Sequence, residues 1–191
     1  MKTPSFTPQN LTLLLLALSF MLCTGMKCKK DNNLDKDGLP KATQGGWGLF
    51  ACKVNGGNWV AKKGIYDVRG TLKKDTLKVW GRKSDLYFES FGFYIYDTEI
   101  KENTIYKLDN HNNMFGLYVS NKDCFFSTDL YNYGEAKSTN GEVIFTKIRK
   151  VDDYTAIISG TFWFNIKTDK CGDLKISNGR FDINTGTGNV K

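Results

Sequence analysis

Alternation of apolar and polar residues, with a period of two, runs through the chain from Trp47 onward. Phe50, Cys52 and Val54 share one face, and the following Asn55-Gly56-Gly57 has the composition of a hairpin turn. A period of two places successive side chains on opposite faces of a strand, whereas a helix needs a period near 3.6. No stretch of the chain has a convincing helical period, so we predict strands joined by tight turns.

The alternation recurs in about ten segments at a spacing typical of all-β sandwiches and barrels. The 19 glycines, 3 prolines and 14% of aromatic residues suit strands and turns. We therefore predict an antiparallel all-β domain, either a sandwich or a lipocalin-like barrel. Residues 86–96 are aromatic on both faces, which predicts a central strand covered on both sides. Asn178-Gly179 predicts a β-bulge in the last strand.

The N-terminus has the pattern of a signal peptide. Lys2 precedes an apolar run at residues 11–22. A run of about twelve apolar residues has the length of a signal-peptide core and is shorter than the roughly 20 residues that cross a bilayer as a helix. We therefore predict that residues 1–27 are an export signal.

Two cysteines that follow this run are candidates for lipid attachment. Cys28 opens a Cys-Lys-Lys-Asp run that resembles the start of mature lipoproteins, and Cys23 lies closer to the apolar run. Neither cysteine follows the small residues of a lipoprotein signal, since Leu22 precedes Cys23 and Lys27 precedes Cys28. We predict a lipid on Cys28, with Cys23 as the alternative. The lipid would hold the protein on the outer membrane of a cell envelope, on its periplasmic or outer surface.

The sequence predicts a tether followed by one domain. Residues 28–45 are polar and show no periodicity, which indicates a flexible tether. Residues 46–191 number about 150, enough for one domain with a substantial core.

Two groups of charged residues have ordinary structural interpretations. Asn33-x-Asp35-x-Asp37-Gly38 has the opening spacing of a calcium loop. Its twelfth position is Gln44 instead of glutamate and no helices flank it, so an acidic linker is favoured. In the last strand, Arg180 and Asp182 share a face and are interpreted as a cross-strand surface network.

Three cysteines lie in the body of the chain, at Cys52, Cys124 and Cys171. An exported protein can form a disulfide, and three cysteines leave one unpaired, but the sequence does not select the pair. The chain has no Cys-x-x-Cys spacing, and His111 is its single histidine, so neither a zinc site nor any other cofactor is predicted.

The charge of the chain argues against a nucleic-acid partner. The formal net charge is +7, and it falls to +5 without residues 1–27, which hold Lys2, Lys27 and no acidic residue. Basic residues alternate with acidic ones and form no long block. Nucleic-acid binding needs basic residues clustered on one face, so none is expected.

Several segments resemble a family of uncharacterised lipoproteins of Bacteroidota. The similar segments are the Cys-Lys-Lys-Asp run, residues 39–44, the Phe-x-Cys-x-Val-Asn-Gly stretch at residues 50–56, residues 141–147, residues 158–164 and the Asn-Gly-Arg-Phe-Asp-Ile stretch at residues 178–183. Residues 65–135 resemble the family only in their general residue pattern. The resemblance implies the fold and the envelope location and supplies no catalytic residue.

We predict that the chain is not an enzyme. His111 lies in an Asn-rich loop without an orienting partner, so a Ser-His-Asp triad has no basis. The sequence contains no Gly-x-Ser-x-Gly, phosphate-loop or His-Glu-x-x-His motif. A glycosidase-like pair of carboxylates is the remaining catalytic alternative, with candidates at Glu89, Asp97, Glu99 and Asp182.

Aromatic side chains give the strongest case for ligand binding. Tyr87, Phe91, Phe93 and Trp163 are the candidate ligand-binding residues, because aromatic strand faces can line a cavity. They predict a binding module for a small apolar or sugar ligand. The alternative is a structural lipoprotein that docks to an envelope protein, which would have a filled interior and an exposed apolar patch.

Overall fold

The structure is a computed structural model that describes residues 33–61, 67–73, 75–84, 88–111, 113–122, 134–152, 155–168 and 171–186. Contacts group Leu34–Lys191 into one compact unit. The predicted signal peptide, the two candidate lipid-attachment cysteines Cys23 and Cys28, and also Tyr87 and Cys124, lie outside the described residues.

The described residues form eleven antiparallel β-strands and no helix, which confirms the predicted all-β class. The strands are β1 (Leu49–Val54), β2 (Gly57–Val60), β3 (Val68–Lys73), β4 (Thr76–Ser84), β5 (Phe88–Ile95), β6 (Ile105–Lys107), β7 (Asp109–His111), β8 (Met114–Ser120), β9 (Gly134–Lys150), β10 (Ala156–Ile166) and β11 (Leu174–Asn184). Among these residues, none lies in a helix with the length and apolar character needed to cross a membrane.

The strands form a single sheet that curls into a half-barrel. Its order is β2-β1-β11-β10-β9-β8-β5-β4-β3, with β6 added on β9 and β7 on β8. The 17-residue strand β9 joins the two halves of the sheet, because its start pairs with β8 and its remainder pairs with β10. Of the two predicted architectures, the curled sheet is closer to the barrel.

Aromatic rings fill the concave side of the sheet. Phe93 on β5 lies 5.2 Å from Phe181 on β11, 5.8 Å from Phe162 on β10 and 6.3 Å from Phe145 on β9, measured between ring centroids. All four side chains are buried. The strands that face each other across the curl are therefore held by ring-to-ring packing, worth more than the buried area alone.

Two turn features follow the sequence prediction. Asn55 and Gly56 have φ angles of 49° and 85°, and Val54 pairs with Gly57, so β1 and β2 are joined by a two-residue hairpin loop. Strand β11 bulges beside Asn178, whose φ is 51°, because the register of β11 slips there against both neighbours. The predicted bulge is confirmed, and it lies at the candidate site below.

The N-terminal part of the described chain is not a free tether. Residues 34–47, here called the strap, lie on the convex side of the sheet. Leu39 is fully buried, and Leu34 forms an isolated bridge with Pro40. Polar contacts with β11 therefore hold this segment, which lies within the predicted tether, against the sheet.

Candidate functional site

Asp182 on β11 fastens the C-terminal half of the strap. Its carboxylate is fully buried and accepts hydrogen bonds from the Thr43 hydroxyl (2.6 Å), the Ser159 hydroxyl (2.7 Å) and the amides of Gly45 (3.1 Å), Gly46 (2.7 Å) and Trp47 (3.1 Å). Burial alone would raise the pKa of this carboxyl, but the hydrogen bonds from Thr43, Ser159, Trp47 and Gly46 outweigh it and lower the pKa.

Arg180, two residues earlier on the same face of β11, fastens the other half of the strap. Its guanidinium donates to Asp35 at 3.3 Å, to Asp37, and to the carbonyl of Pro40 at 3.1 Å. The Leu39 amide also donates to Asp37, and this bond, together with Arg180, lowers the pKa of Asp37. The interpretation of Arg180 and Asp182 as a surface network is wrong, since the strap buries both side chains.

The same contacts explain the calcium-like spacing at the start of the strap. Asp35 and Asp37 turn their carboxylates toward Arg180 and toward backbone amides of Lys36 and Leu39. Within the part of the chain that the structure describes, no group of three or more His, Cys, Asp or Glu residues is arranged to hold a metal ion.

An open groove of about 840 Å³ lies between the strap and the outer face of β9, β10 and β11. Asp35 and Asp37 border it on the strap side, and the bulge at Asn178 borders it on β11. Thr161 and Trp163 of β10 form its floor. The strap therefore does more than cover the sheet, since it provides one border of a concave surface.

Trp163 is the exposed aromatic residue of this groove. Its side chain is 38% exposed, and its indole N–H donates to Glu142 on the neighbouring strand at 3.2 Å. Glu142 also pairs with Lys107 on β6, and the hydrogen bonds from Lys107 and Trp163 lower the pKa of Glu142. The carboxylate is therefore ionised at neutral pH and holds the indole ring in a fixed orientation.

Side-chain amides continue the polar lining beside Trp163. Asn165, the next outward residue of β10, donates to Asn140 on β9 at 3.0 Å and borders the groove. An amide offers two N–H donors and one carbonyl acceptor, so Asn165 and Asn178 retain hydrogen-bonding capacity toward a ligand. The groove thus combines one fixed aromatic ring with carboxylate, amide and hydroxyl groups.

A protein-family model named domain of unknown function (DUF6252) matches residues 48–183, from the start of β1 to the end of β11. The chain belongs to the DUF6252 family. The match includes the strands that carry Glu142, Trp163, Asn165 and Arg180. No curated protein and no solved structure matches the chain.

The structure separates the four predicted ligand-binding residues. Phe91 and Phe93 are buried in the ring-filled core at 1% and 0% exposure, and Phe91 stacks on Tyr118 at 4.7 Å. Trp163 lies in the groove, and Tyr87 lies outside the described residues. Among the described members of the set, Trp163 is thus the residue that a ligand in the groove could contact.

The carboxylates considered for a glycosidase have separate partners. Glu89 accepts from Trp59, Tyr118 and Lys122. The side-chain partner of Asp97 is Asn113, that of Glu99 is Lys101, and Asp182 holds the strap. His111 is an exposed residue of β7 whose ring lies 3.5 Å from Asp109.

The two described cysteines of the domain differ in state. Cys171 is disulfide-bonded, whereas Cys52 is a free thiol with no exposed surface. Burial raises the pKa of the Cys52 thiol, and the nearby charge of Glu89 raises it further. Cys52 is therefore a core residue in the neutral thiol form.

Sequence reasoning missed Asp37, Glu142 and Asn165 as groove residues. Each is an ordinary polar residue in the sequence, and its position at the groove depends on which strands are neighbours. The alternation of β10 placed Asn165 and Trp163 on one face, which was the available signal.

Proposed function

We propose that this protein is an exported lipoprotein, anchored by a lipid on Cys28 or Cys23, that binds a neutral sugar in the groove at Trp163. The observation that carries the proposal is a partly exposed indole, hydrogen-bonded to Glu142, in a concave surface that also presents polar side chains. A sugar presents C–H groups on one side and hydroxyls at its edge. An aromatic face with hydrogen-bonding groups around it complements both.

The lining favours a sugar over an apolar ligand. Asp37, Glu142, Thr161 and Asn165 line the groove around the exposed ring of Trp163, beside apolar residues such as Ile144 and Ile176. A purely apolar molecule would remove water from these polar groups without offering them a hydrogen bond, which costs free energy. The filled core also offers an apolar ligand little space, because the rings of Phe93 and its neighbours occupy it.

Export and anchoring are proposed from the sequence and supported by the cysteine chemistry. The disulfide at Cys171 suits an oxidising compartment. The apolar run at residues 11–22 and the resemblance to Bacteroidota lipoproteins agree with an envelope location. Palmitate labelling of cells that express Cys28→Ser, Cys23→Ser or the double variant tests the anchor. Loss of label in Cys28→Ser would identify Cys28, and full labelling of the double variant would overturn the proposal.

Sugar binding is tested with the full-length protein in a detergent without a sugar head group. Neutral trisaccharides of glucose, galactose, mannose and xylose would be titrated against wild type and Trp163→Ala by calorimetry. We expect one class to bind and its affinity to fall about fivefold or more in Trp163→Ala, since stacking on an aromatic ring is worth about 1 kcal/mol or more. Glu142→Gln should weaken binding less, because the amide keeps one acceptor oxygen.

Trp47→Ala is the matched control for the sugar titration. Trp47 is 71% exposed and is not part of the groove, so its loss should leave the affinity unchanged. Equal loss in both tryptophan variants, or no binding of any trisaccharide by the wild type, would overturn the sugar proposal.

The second candidate is a lipoprotein that docks to an envelope protein. It is favoured by the filled interior and by Ile105, which is 54% exposed on β6 and pairs with Ile144 beside the groove. A negative trisaccharide panel combined with an envelope-protein crosslink from position 105 would favour this function.

A further inference from the structure

A second pocket lies on the convex face of the other half of the sheet, away from the strap. Its volume is about 220 Å³, and β4, β5, β8 and β9 all contribute to its lining. Trp80 and Arg82 of β4 point outward, because Val79 and Gly81 between and beside them point into the core. Gly92 of β5 pairs with Trp80 and gives the pocket its floor.

Gly92 makes room for this pocket. A Cβ atom at that position would lie 2.9 Å from Cβ of Trp80 and 2.4 Å from the carbonyl oxygen of Val79. Any larger residue would therefore separate β5 from β4 at Trp80. Gly92 therefore helps to form the cavity, because the neighbouring outward residues Ser90 and Tyr94 both have side chains that line it.

Two residues that line this pocket each carry a hydrogen-bond donor that lacks an acceptor among the described residues. The indole N–H of Trp80 and the Nε–H of Arg82 are both buried and unpaired there. Buried polar groups in native proteins nearly always have a partner, and two such donors lining one small cavity indicate an absent acceptor. Both residues belong to a pocket that is open to a ligand of modest size.

The charges around the pocket select an anionic acceptor. The guanidinium of Arg82 lies 5.9 Å from the centre of the Trp80 ring and 5.8 Å from that of Phe88, within cation–π distance of both rings. A neighbouring groove of about 370 Å³ shares Trp80 and includes Lys73 and Lys78. These cations outnumber the single carboxylate that lines the two cavities, Glu135.

Glu135 is poorly placed to be the partner of Arg82. The register aligns Arg82, Ser90, Val119 and Glu135 in one row across β4, β5, β8 and β9. The row spans three strand spacings, or about 14 Å of backbone. The Nε–H of Arg82 has no hydrogen-bond acceptor among the described residues although Glu135 lines the same pocket, which leaves this donor available to an external carboxylate.

We propose that the Trp80–Arg82 pocket binds the carboxylate of a small organic acid. One carboxylate oxygen would accept from the Nε–H of Arg82 and the other from the indole N–H of Trp80, and a planar guanidinium suits a planar carboxylate. The shared chemistry occurs both in free acids and in uronic acid units of a glycan. This site is independent of the sugar proposed for Trp163.

The test is an NMR titration of the full-length ¹⁵N-labelled protein in a detergent that carries neither sugar nor carboxylate. The chain has 4 tryptophans, so the indole N–H of Trp80 is identified by its loss in Trp80→Phe, and the Arg82 Nε–H by its loss in Arg82→Lys. Sodium glucuronate, glucose and sodium acetate would be added at constant ionic strength. Concentrations up to about 50 mM would fill most of a site whose Kd is about 10 mM.

We expect glucuronate to move the Trp80 and Arg82 signals with one saturable curve and glucose to leave both unchanged. Acetate at higher concentration should move the same two signals, and a stronger effect of glucuronate would indicate a uronic acid source. Arg82→Lys should weaken binding about tenfold, because lysine keeps the charge but lacks the planar fork. Glu135→Gln should strengthen it, because a nearby negative charge is removed.

The proposal is overturned if neither signal moves, or if glucose or sodium chloride moves them equally. If glucuronate moves the Arg82 signal equally in Trp80→Phe and in wild type, the carboxylate is not held by both the Trp80 indole N–H and the Arg82 Nε–H. The Trp163 indole signal reports on the other groove in the same spectra. A failure of one site therefore does not obscure the result at the other.

Discussion

At the scale of single residues, the carboxylate of Asp182 is the side chain on which the strap depends most. We expect Asp182→Asn to lower the free energy of unfolding by about 2–4 kcal/mol, because an uncharged amide accepts fewer hydrogen bonds and places N–H groups against N–H groups. Urea denaturation followed by tryptophan fluorescence measures the change. Asp173→Asn, at an exposed position before the same strand, is the control and should change stability by less than about 0.5 kcal/mol.

The lowered pKa of Asp182 makes part of the stability depend on pH. The unfolded carboxyl has a pKa of about 3.9, and the pKa of the folded carboxyl is lower. The contribution is therefore complete above about pH 5 and is lost as the pH falls through the folded pKa. The stability difference between wild type and Asp182→Asn should be large at pH 7 and smaller at pH 3. An unchanged difference at both values would contradict the assignment.

Cys52 should be chemically silent in the folded protein. Its side chain has no exposed surface, and its pKa is raised by burial, so the reactive thiolate is scarce. We expect no carbamidomethylation of the peptide containing Cys52 after treatment with iodoacetamide at pH 8 in buffer, and complete reaction in denaturant. Labelling of Cys52 at the same rate in both solutions would show that the core opens at this position.

At the scale of elements, the strap is the part that sequence patterns could not predict. Alternation identifies a strand because the pattern lies within the strand's own consecutive residues. The strap, in contrast, is ordered by Arg180 and Asp182, which are more than 130 residues away in the chain. Polar composition without periodicity is the signature of a linker. The same composition here supplies hydroxyls and free amides to two buried charges, a role that no local pattern reveals.

The strap should loosen in two separable halves. Arg180→Met removes the donors to Asp35, Asp37 and Pro40, so we expect faster amide hydrogen exchange in residues 34–41 than in residues 43–47, which Asp182 still holds. Hydrogen-exchange mass spectrometry measures both peptides. Lys175→Met, an exposed change on the same strand, should leave both unaffected. Equal acceleration over the whole strap would mean that it opens as one unit.

The sequence pattern placed Trp163 on the outer face of β10, where the structure exposes it, but missed the core role of Phe91 and Phe93 for a physical reason. Strand β10 has polar residues beside Trp163, at Thr161 and Asn165, which mark its outer face. Residues 86–96 are aromatic on both faces, so alternation cannot tell which face enters the core. In the structure, Tyr94 lies on the outer face of β5, and the Nζ atom of Lys78 lies 5.1 Å from the centre of its ring. The cation and neighbouring rings therefore cover this face, where a second layer of sheet would otherwise be needed.

At the scale of the whole molecule, the sequence could give the strand number and class but not the choice between a sandwich and a barrel. That choice depends on how strongly one sheet curls, which is set by contacts between strands distant in the chain. Phe50 of β1 packs over Gly81 of β4, and Gly70 of β3 lies beneath Ile183 of β11. Small residues at these two points allow the ends of the sheet to approach.

Gly81 is the position at which this closure can be tested. A Cβ atom there would lie 2.6 Å from the Phe50 ring, so Gly81→Ala must separate β1 from β4 or displace the ring. We expect a loss of about 1–3 kcal/mol in the free energy of unfolding, as for overpacked cores. Gly57→Ala, where the nearest atom would be 3.5 Å away, is the matched control.

In a double-mutant cycle, Phe50→Leu should be less destabilising in the Gly81→Ala background than in wild type, since the smaller side chain relieves the contact. Additive effects would show that Phe50 and Gly81 do not meet, and that the sheet is held in its curl by other contacts.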